Sequence, residues 1–569
     1  MLANLTFFAT GLVAQDDGEQ KTQGGLPRVT NVRFESLEFA YPSVSRRAIG
    51  DLGHVADGGA VVWTNLKEGK DLAWTNHTFV DCRWRFADTE ALQFQGSGGS
   101  FDNCMWEWNS WSSRCSSTPV VDDGNCGTLV VEGLPPPGDA AQFSRLTFSN
   151  NGASKCLRPG SSKDLDHPVR ITDVLFETQL QLADDGCFVE TGGPHAAHME
   201  HNWMHGSGKS ALRFDGTFAS GTAHGAMVSN VGFNVSSLEI KGDVHTIANN
   251  TIFDASDIGA SWAMHSRPRY QDPTSPLGTA GGLDGKACSA TVENAGANTH
   301  STFSSNLFDR VDPKDACAPG AKSCPFAGAW TSSNLVGAAE GPGWNGTGGS
   351  TGGTTPTVTP FRIRSQLRDP YYHDFRPCPG SLAAKLGAGA YPVFAATDTT
   401  YRLPGARGQM ATGPIPGDGA IDVITDTDLI FRAAFRAVGH TVLLGSTPGS
   451  LEVLATLAGD GNIAHPPPAV VQPSGLYYWR VDAHFGDGSS RSGAVWGFTA
   501  GTATSCPPQP APPPPPTIPP ACDKALIACC SDVEGTGGRC IHTIARHARK
   551  DPSGFANCTH ANENLFCGI

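Results

Sequence analysis

Of the 569 residues, 68 are Gly and 41 Pro while only 17% are charged, which excludes a helical bundle; 39% apolar residues supply a sizeable core and exclude wholesale disorder. The balance of 40 Lys and Arg against 54 Asp and Glu gives −14 and excludes a general nucleic-acid or anionic-membrane role, since those partners need a basic footprint. No run reaches the ~18 apolar residues of a membrane span. The 17 Cys and the glycosylation triplets at Asn4, Asn76, Asn234, Asn249, Asn345 and Asn557 point to a secreted, extracellular protein. An odd Cys count leaves at least one thiol free or intermolecular. Met1 to Gln15 lacks the basic region of a signal peptide. Because the repeat below begins at Asn4, the chain is expected to start inside its fold, with signal and capping coil upstream.

From the N-terminus onward an aromatic residue, usually with Asn, Asp or Ser two or three positions before it, recurs at Phe7, Phe34, Phe79, Trp106, Phe148, Phe176, Trp203, Phe233, Phe253 and Phe308. The unit of roughly 20 to 30 residues, sometimes doubled, is a solenoid period. Alternating stretches such as Val29 to Phe34 and Ile171 to Phe176 make each unit short strands and turns. A right-handed parallel β-helix is expected over 1–393, with the aromatics as an inward ladder at rungs ~4.8 Å apart and Gly at the turns. Residues 276–358, with Cys288, Cys317 and Cys324, read as a loop-rich insertion.

The segment from Arg368 through Tyr391 resembles an ending common in secreted β-helix proteins and is expected to close the solenoid near residue 393. Residues 400–500 alternate as a β-sandwich does; Gly475 to Ala483 and Val495 to Phe498 resemble the late strands of fibronectin type III-like modules. Residues 505–520 form a Pro-rich extended linker. Residues 521–569 carry Cys522, Cys529, Cys530, Cys540, Cys558 and Cys567, a small disulfide-rich module suited to matrix or cell-wall attachment.

Candidate chemistry concentrates between Asn150 and Arg267. The strings Lys155-Cys-Leu-Arg158, Lys209-Ser-Ala-Leu-Arg213 and Leu238-Glu-Ile-Lys241 recur at the solenoid period. They place Arg213 and Lys241 one rung apart and Arg158 about two rungs further, a basic column suited to uronate carboxylates or sulfates. A solvated stripe without a ligand is the alternative. His195, His198, His201 and His205 have helical metal-site spacing, but Glu200 to Trp203 sits on the repeat frame, so strand and turn are expected and no metal is assigned. No resident cofactor is expected, calcium being the ion left open. His205, with Asp184, Asp185 and Asp215 nearby by rung count, is the acid/base candidate. Trp111 is a candidate stacking platform, and Trp106 a ladder member.

The strings His201 to Gly216 and Ile240 to Phe253, with Phe34 to Ser43 and Asp102 to Trp108, resemble the right-handed parallel β-helix, or pectin-lyase-like, domain family of secreted proteins. That resemblance implies the fold over 1–393 and, from many relatives, action on or binding to acidic polysaccharides. Asp184-Asp185-Gly-Cys187, His205-Gly206 and Ile240-Lys241 also fall in the order of the polygalacturonase motifs, with Gly186 interrupting the first and Glu239 replacing an Arg. Gly242 to Asn250 is similar to a string of the alginate and dermatan lyases, whose Asn-Lys-Ser motif is missing.

The expectation is therefore a polysaccharide-binding or polysaccharide-degrading protein, lyase-like first. Arg158, Arg213, Lys241, His245 and Trp111 would hold substrate, and His205 or Lys209 would abstract the proton beside a neutralised uronate. In a polygalacturonase-like inverting hydrolase, Asp184, Asp185 and Asp215 would carry the acid and base roles. The opposing class is a non-catalytic extracellular structural or adhesion protein.

Overall fold

The computed structural model describes residues 2–8, 29–41, 74–87, 91–95, 99–110, 127–132, 140–152, 155–160, 162, 165–179, 187–191, 196–207, 210–214, 223–235, 237–240, 244–254, 264–266, 301–309, 329–337, 357–359, 363–391, 398–468 and 470–503. The chain forms two compact units, Met1–Gln509 and Pro510–Ile569. The linker from residue 505 and the Cys-rich module lie outside the described residues.

The first part of the chain is a right-handed parallel β-helix. Its described strands stack into three parallel sheets of 11, 12 and 7 strands. The first sheet runs from Leu2–Ala3 to Ala329–Trp330, the second from Thr6–Phe8 to Thr357–Thr359, the third from Leu92–Gln95 to Met264–Ser266. Strands of two to six residues suffice because each rung leans on the next, and the strands of a middle rung pair with the coils on either side.

Two inward ladders hold the coil together, not one. Phe34, Phe79, Phe101 and Phe143 stack in register on the first sheet, continued by Ile171, Met199, Met227 and Ile247. On the second sheet the column is Phe39, Trp84, Trp106, Phe148, Phe176 and Met204. Rings meet nearly parallel, Phe79 on Phe101 at 4.7 Å and Trp84 on Trp106 at 4.7 Å. Trp203, Phe233 and Phe253, expected in the ladder, face outward instead; the inward register positions beside them are Met204, Gly232 and Ile252. Each is one residue off the inward position, and strand alternation sends it to the other face.

The corner between first and second sheets is two residues long in the described rungs up to Asn306 and four at 331–334, and Gly does not make it. Its first residue is left-handed, as at Asn103 (φ 56°), Arg145 (53°), Asp173 (56°), His201 (54°), Ser229 (54°) and Asn249 (56°). Mostly short polar side chains tolerate this region. The last residue of the corner points inward, and from Asn202 onward it is a buried Asn: Asn202, Asn230, Asn250, Asn306, Asn334. Asn230 shows why. Its Nδ2 donates to the Met199 carbonyl at 2.9 Å and its Oδ1 accepts from the Asn202 backbone N–H at 3.0 Å, so the amide satisfies corner groups that the strand ladders leave over.

Residues 276–358 contain further rungs and not only loops: Thr302–Ser304 pairs with Thr246–Ala248, and Leu335–Gly337 with Thr357–Thr359. The segment 363–391 follows the last described solenoid strand and lies along the outward side of the second sheet. Its helix Leu382–Leu386 is capped by Ser381, whose side chain accepts from the Ala384 N–H, and ends at left-handed Gly387. Cys378 in this segment is disulfide-bonded.

The sandwich that follows has sheets of three and five strands. Trp479, Trp496, Phe431 and Phe498 fill its interior. The strand Leu429–Arg432 is apolar on both faces: Leu429 and Phe431 face that interior, and Ile430 joins Ile415 and Ile463 in a second core with Leu175, Trp203, Val231 and Leu307 of the solenoid. The sandwich is thus docked along the flank of the coil, which explains the outward aromatics.

Candidate functional site

The recurring strings fall on the third sheet. Leu157, Val189, Leu212 and Leu238 stand in register, which sets Arg158 beside Glu190, Glu190 beside Arg213, and Arg213 beside Glu239. Arg158 lies two rungs from Arg213, as the spacing predicts. The column is not purely basic, however: charges alternate along it, because Glu190 and Glu239 occupy the rungs between and after the arginines.

Side chains within the column are paired. Lys155 Nζ donates to Glu190 at 2.7 Å, Arg213 lies 3.9 Å from Glu190 and 3.3 Å from Glu239, and Ser210 Oγ donates to Glu239 at 2.9 Å. The side chains of Lys155 and Glu239 are each 4% exposed, those of Arg213 and Glu190 11% and 19%. At such burial each charge needs the others, and together they hold the Arg213 guanidinium along the rung axis. Glu190, Glu239 and the pairing role of Lys155 were missed from sequence. Their signal is the shared pattern Cys156-Leu157-Arg158, Phe188-Val189-Glu190, Ala211-Leu212-Arg213, Ser237-Leu238-Glu239, visible once charge sign is ignored.

The other candidates scatter. Asp184, Asp185, Lys209, Asp215, Lys241, Trp111 and His195 lie outside the described residues. In sequence, Lys209 and Asp215 flank the third-sheet strand Ser210–Phe214, Asp185 lies just before Cys187–Thr191, and Lys241 just after Ser237–Ile240. His205 is on the second sheet and does not share a face with Arg213. His245, expected to bind substrate, is 1% exposed; its ring stacks on Phe214 at 4.5 Å and its Nδ1 accepts from the Gly225 N–H at 3.0 Å, a structural position inside the coil. His198, His201 and His205 occupy a strand, a turn and another strand, as the repeat frame requires. Among the described residues no group of three or more His, Cys, Asp or Glu is placed to hold a metal ion.

His205 sits instead at the seam with the C-terminal segment. It stacks on Phe233 at 4.5 Å, and Phe233 meets His373 at 5.1 Å. Burial lowers the pKa of His205 and takes His373 down to about 4, with the His205 and Arg432 charges adding to the latter. One rung back, Glu177 is in register with His205, and burial raises its carboxyl. Burial also lowers Arg432, to about 10, against the attraction of Glu177. Burial thus favours the neutral form of both Glu177 and His205, at a seam where Phe375 of the covering segment packs 5.4 Å from Phe233.

No family model, no curated protein and no solved structure matches this chain.

Proposed function

We propose that this chain is a secreted, pectin-lyase-like polysaccharide-recognising protein and that an extended acidic glycan lies across the third sheet at Arg158, Glu190, Arg213 and Glu239. The observation that carries the proposal is the column of charged side chains at one-rung intervals, with Arg213 held between two carboxylates. Rung spacing of ~4.8 Å puts Arg158 and Arg213 ~10 Å apart, a distance an extended sugar chain can span with successive acidic groups. The guanidinium supplies bidentate donors for a uronate carboxylate or a sulfate. In a lyase-type reaction it would neutralise the uronate while Lys209 takes the adjacent proton and the 4-linked oxygen leaves with its bonding pair, forming the unsaturated product. His205 is less suited to that role because it serves another face.

The test is incubation with pectate, alginate and sulfated glycans while following the absorbance of unsaturated products and the release of reducing ends, with glycan retardation in native gels alongside. Retardation lost in both Arg158→Ala and Arg213→Ala supports the groove, and Arg158→Ala, at the half-exposed end, leaves the buried pairs in place. Silence in both product assays, with retardation retained by both variants, overturns the enzyme and the groove together. The rigid flank-docked sandwich favours a second reading, a non-catalytic extracellular rod, which product silence with Arg-dependent binding would select.

A further inference from the structure

The sandwich carries a cleft of its own, unrelated to the solenoid column. On the strands Leu476–Phe485 and Ser490–Ala500 alternate residues face the module interior, Trp479 with Val481 and Trp496 with Phe498. The opposite set, Leu476, Tyr478, Val495, Gly497 and Thr499, lines an open cleft of about 430 Å³ together with Asp418 and Pro448.

Tyr478 stands between two glycines, paired with Gly445 on one side and Gly497 on the other. A Cβ at Gly497 would meet the Tyr478 ring at 3.2 Å, so the ring covers that glycine. Tyr478 is partly exposed, so the ring that covers Gly497 is also reachable from the cleft. Leu476 and Val495 extend this apolar floor and are 49% and 38% exposed, so the floor is open to solvent. At its rim the Asp418 carboxylate is fixed by the Gly497 N–H, which donates to Oδ1 at 2.8 Å, and Thr499 brings a hydroxyl opposite Leu476.

An aromatic floor with a fixed carboxylate and a hydroxyl at the rim matches a sugar ring, which offers an apolar C–H face and a hydroxyl edge. Asp418 is the one residue of the lining with an ionic charge. It accepts from hydroxyls and repels carboxylates and sulfates, so the cleft is complementary to uncharged sugars. We propose that the sandwich is a second glycan site, in which a neutral pyranose stacks on Tyr478 and donates a hydroxyl to Asp418.

Native gel electrophoresis of the full chain through neutral glycans (β-1,3-glucan, xylan and galactomannan), with and without soluble pectate as competitor, tests this. Retardation by at least one of them is expected, unaffected by pectate, roughly tenfold or more weaker in Tyr478→Ala and reduced in Asp418→Asn. Emission from Trp479 and Trp496 beneath the floor reports that the variants are folded. Absence of retardation by all three glycans, equal retardation of a folded Tyr478→Ala, or displacement by pectate overturns the proposal. None of these outcomes decides the third-sheet column, whose test uses acidic glycans and Arg variants.

Discussion

Arg436 donates to Glu35 at 2.6 Å although 401 positions separate them in the chain. Glu35 also accepts from Arg33 at 2.8 Å, and these two bonds, that of Arg33 first, hold its carboxyl below the usual range. Further along the same flank Arg402 bonds Asp173 at 2.7 Å, and the Arg407 N–H donates to Asn103 at 2.6 Å. The sandwich therefore engages coils far apart in the solenoid, with apolar burial between these polar ties.

That division of labour predicts unequal costs. Arg436 is more than half exposed, and Arg436→Ala is expected to shift stability by less than about 1 kcal/mol. Trp203 is 4% exposed and lies 4.8 Å edge-on to Phe375, so Trp203→Ala should cost about 3–5 kcal/mol. Guanidinium denaturation of the two variants checks the order.

Arg376, fully buried, bonds Asp374 at 2.6 Å and lies 2.8 Å from Asp428 of the sandwich. Arg376→Met leaves Asp374 and Asp428 sharing Arg368, 3.4 and 3.6 Å away, and should cost about 3 kcal/mol, whereas removing Arg376, Asp374 and Asp428 together, in which Arg368 keeps Asp426, should cost less. Thermal midpoints of the single and triple variants measure the difference.

Stability should fall on acidification below neutrality. Burial takes His373 and His440 down to about 4, and His440 accepts from the Ala434 N–H as a neutral ring. Their contribution is present above the ordinary histidine value of 6.5 and is lost as pH falls through about 4, because the unfolded chain protonates first. Asp369 acts oppositely: burial, then Asp374, pushes its carboxyl up to about 7, so its contribution is present at low pH and lost as pH rises through that value. Denaturation midpoints at pH 4.5 and pH 8 are expected to drop less on acidification in His373→Gln, and Asp369→Asn should raise the midpoint at pH 8.

The buried corner amides should be costly to remove. Asn230→Ala strips the Asn202 N–H and the Met199 carbonyl of partners and breaks the bond to Asn250, at about 3 kcal/mol or more. Hydrogen exchange at the Asn202 amide should accelerate in the variant, which distinguishes a lost corner bond from a diffuse packing defect.

The solenoid was legible because an αL-prone residue three positions before an inward aromatic is a local pattern, as in Asn103 and Trp106 or Asp173 and Phe176. It failed at Trp203, Phe233 and Phe253, where a partner more than a hundred residues away makes the outward face apolar too; no local period reveals that. The charged column was legible in position but not in sign. Searching for cations passed over Glu190 and Glu239 on the same register, and burial of His245 depends on Phe214 and Gly225, which its own neighbours do not announce.

The two-residue corner has a consequence for how such a chain can grow. Equivalent corner Asn residues are 20 positions apart from Asn230 to Asn250, 28 from Asn202 to Asn230, and 56 from Asn250 to Asn306, yet each pair is bonded alike. All of that length difference is absorbed elsewhere in the coil. As far as Asn306, one edge of the rod therefore behaves as a spine of constant gauge and the others as sites where foreign sequence can be spliced in. Grafts placed after third-sheet strands should leave rung spacing unchanged, and the four-residue corner at 331–334, after which Leu335 still pairs with Leu307 and Asn334 still bonds Asn306, marks where the spine itself takes up added length without losing step.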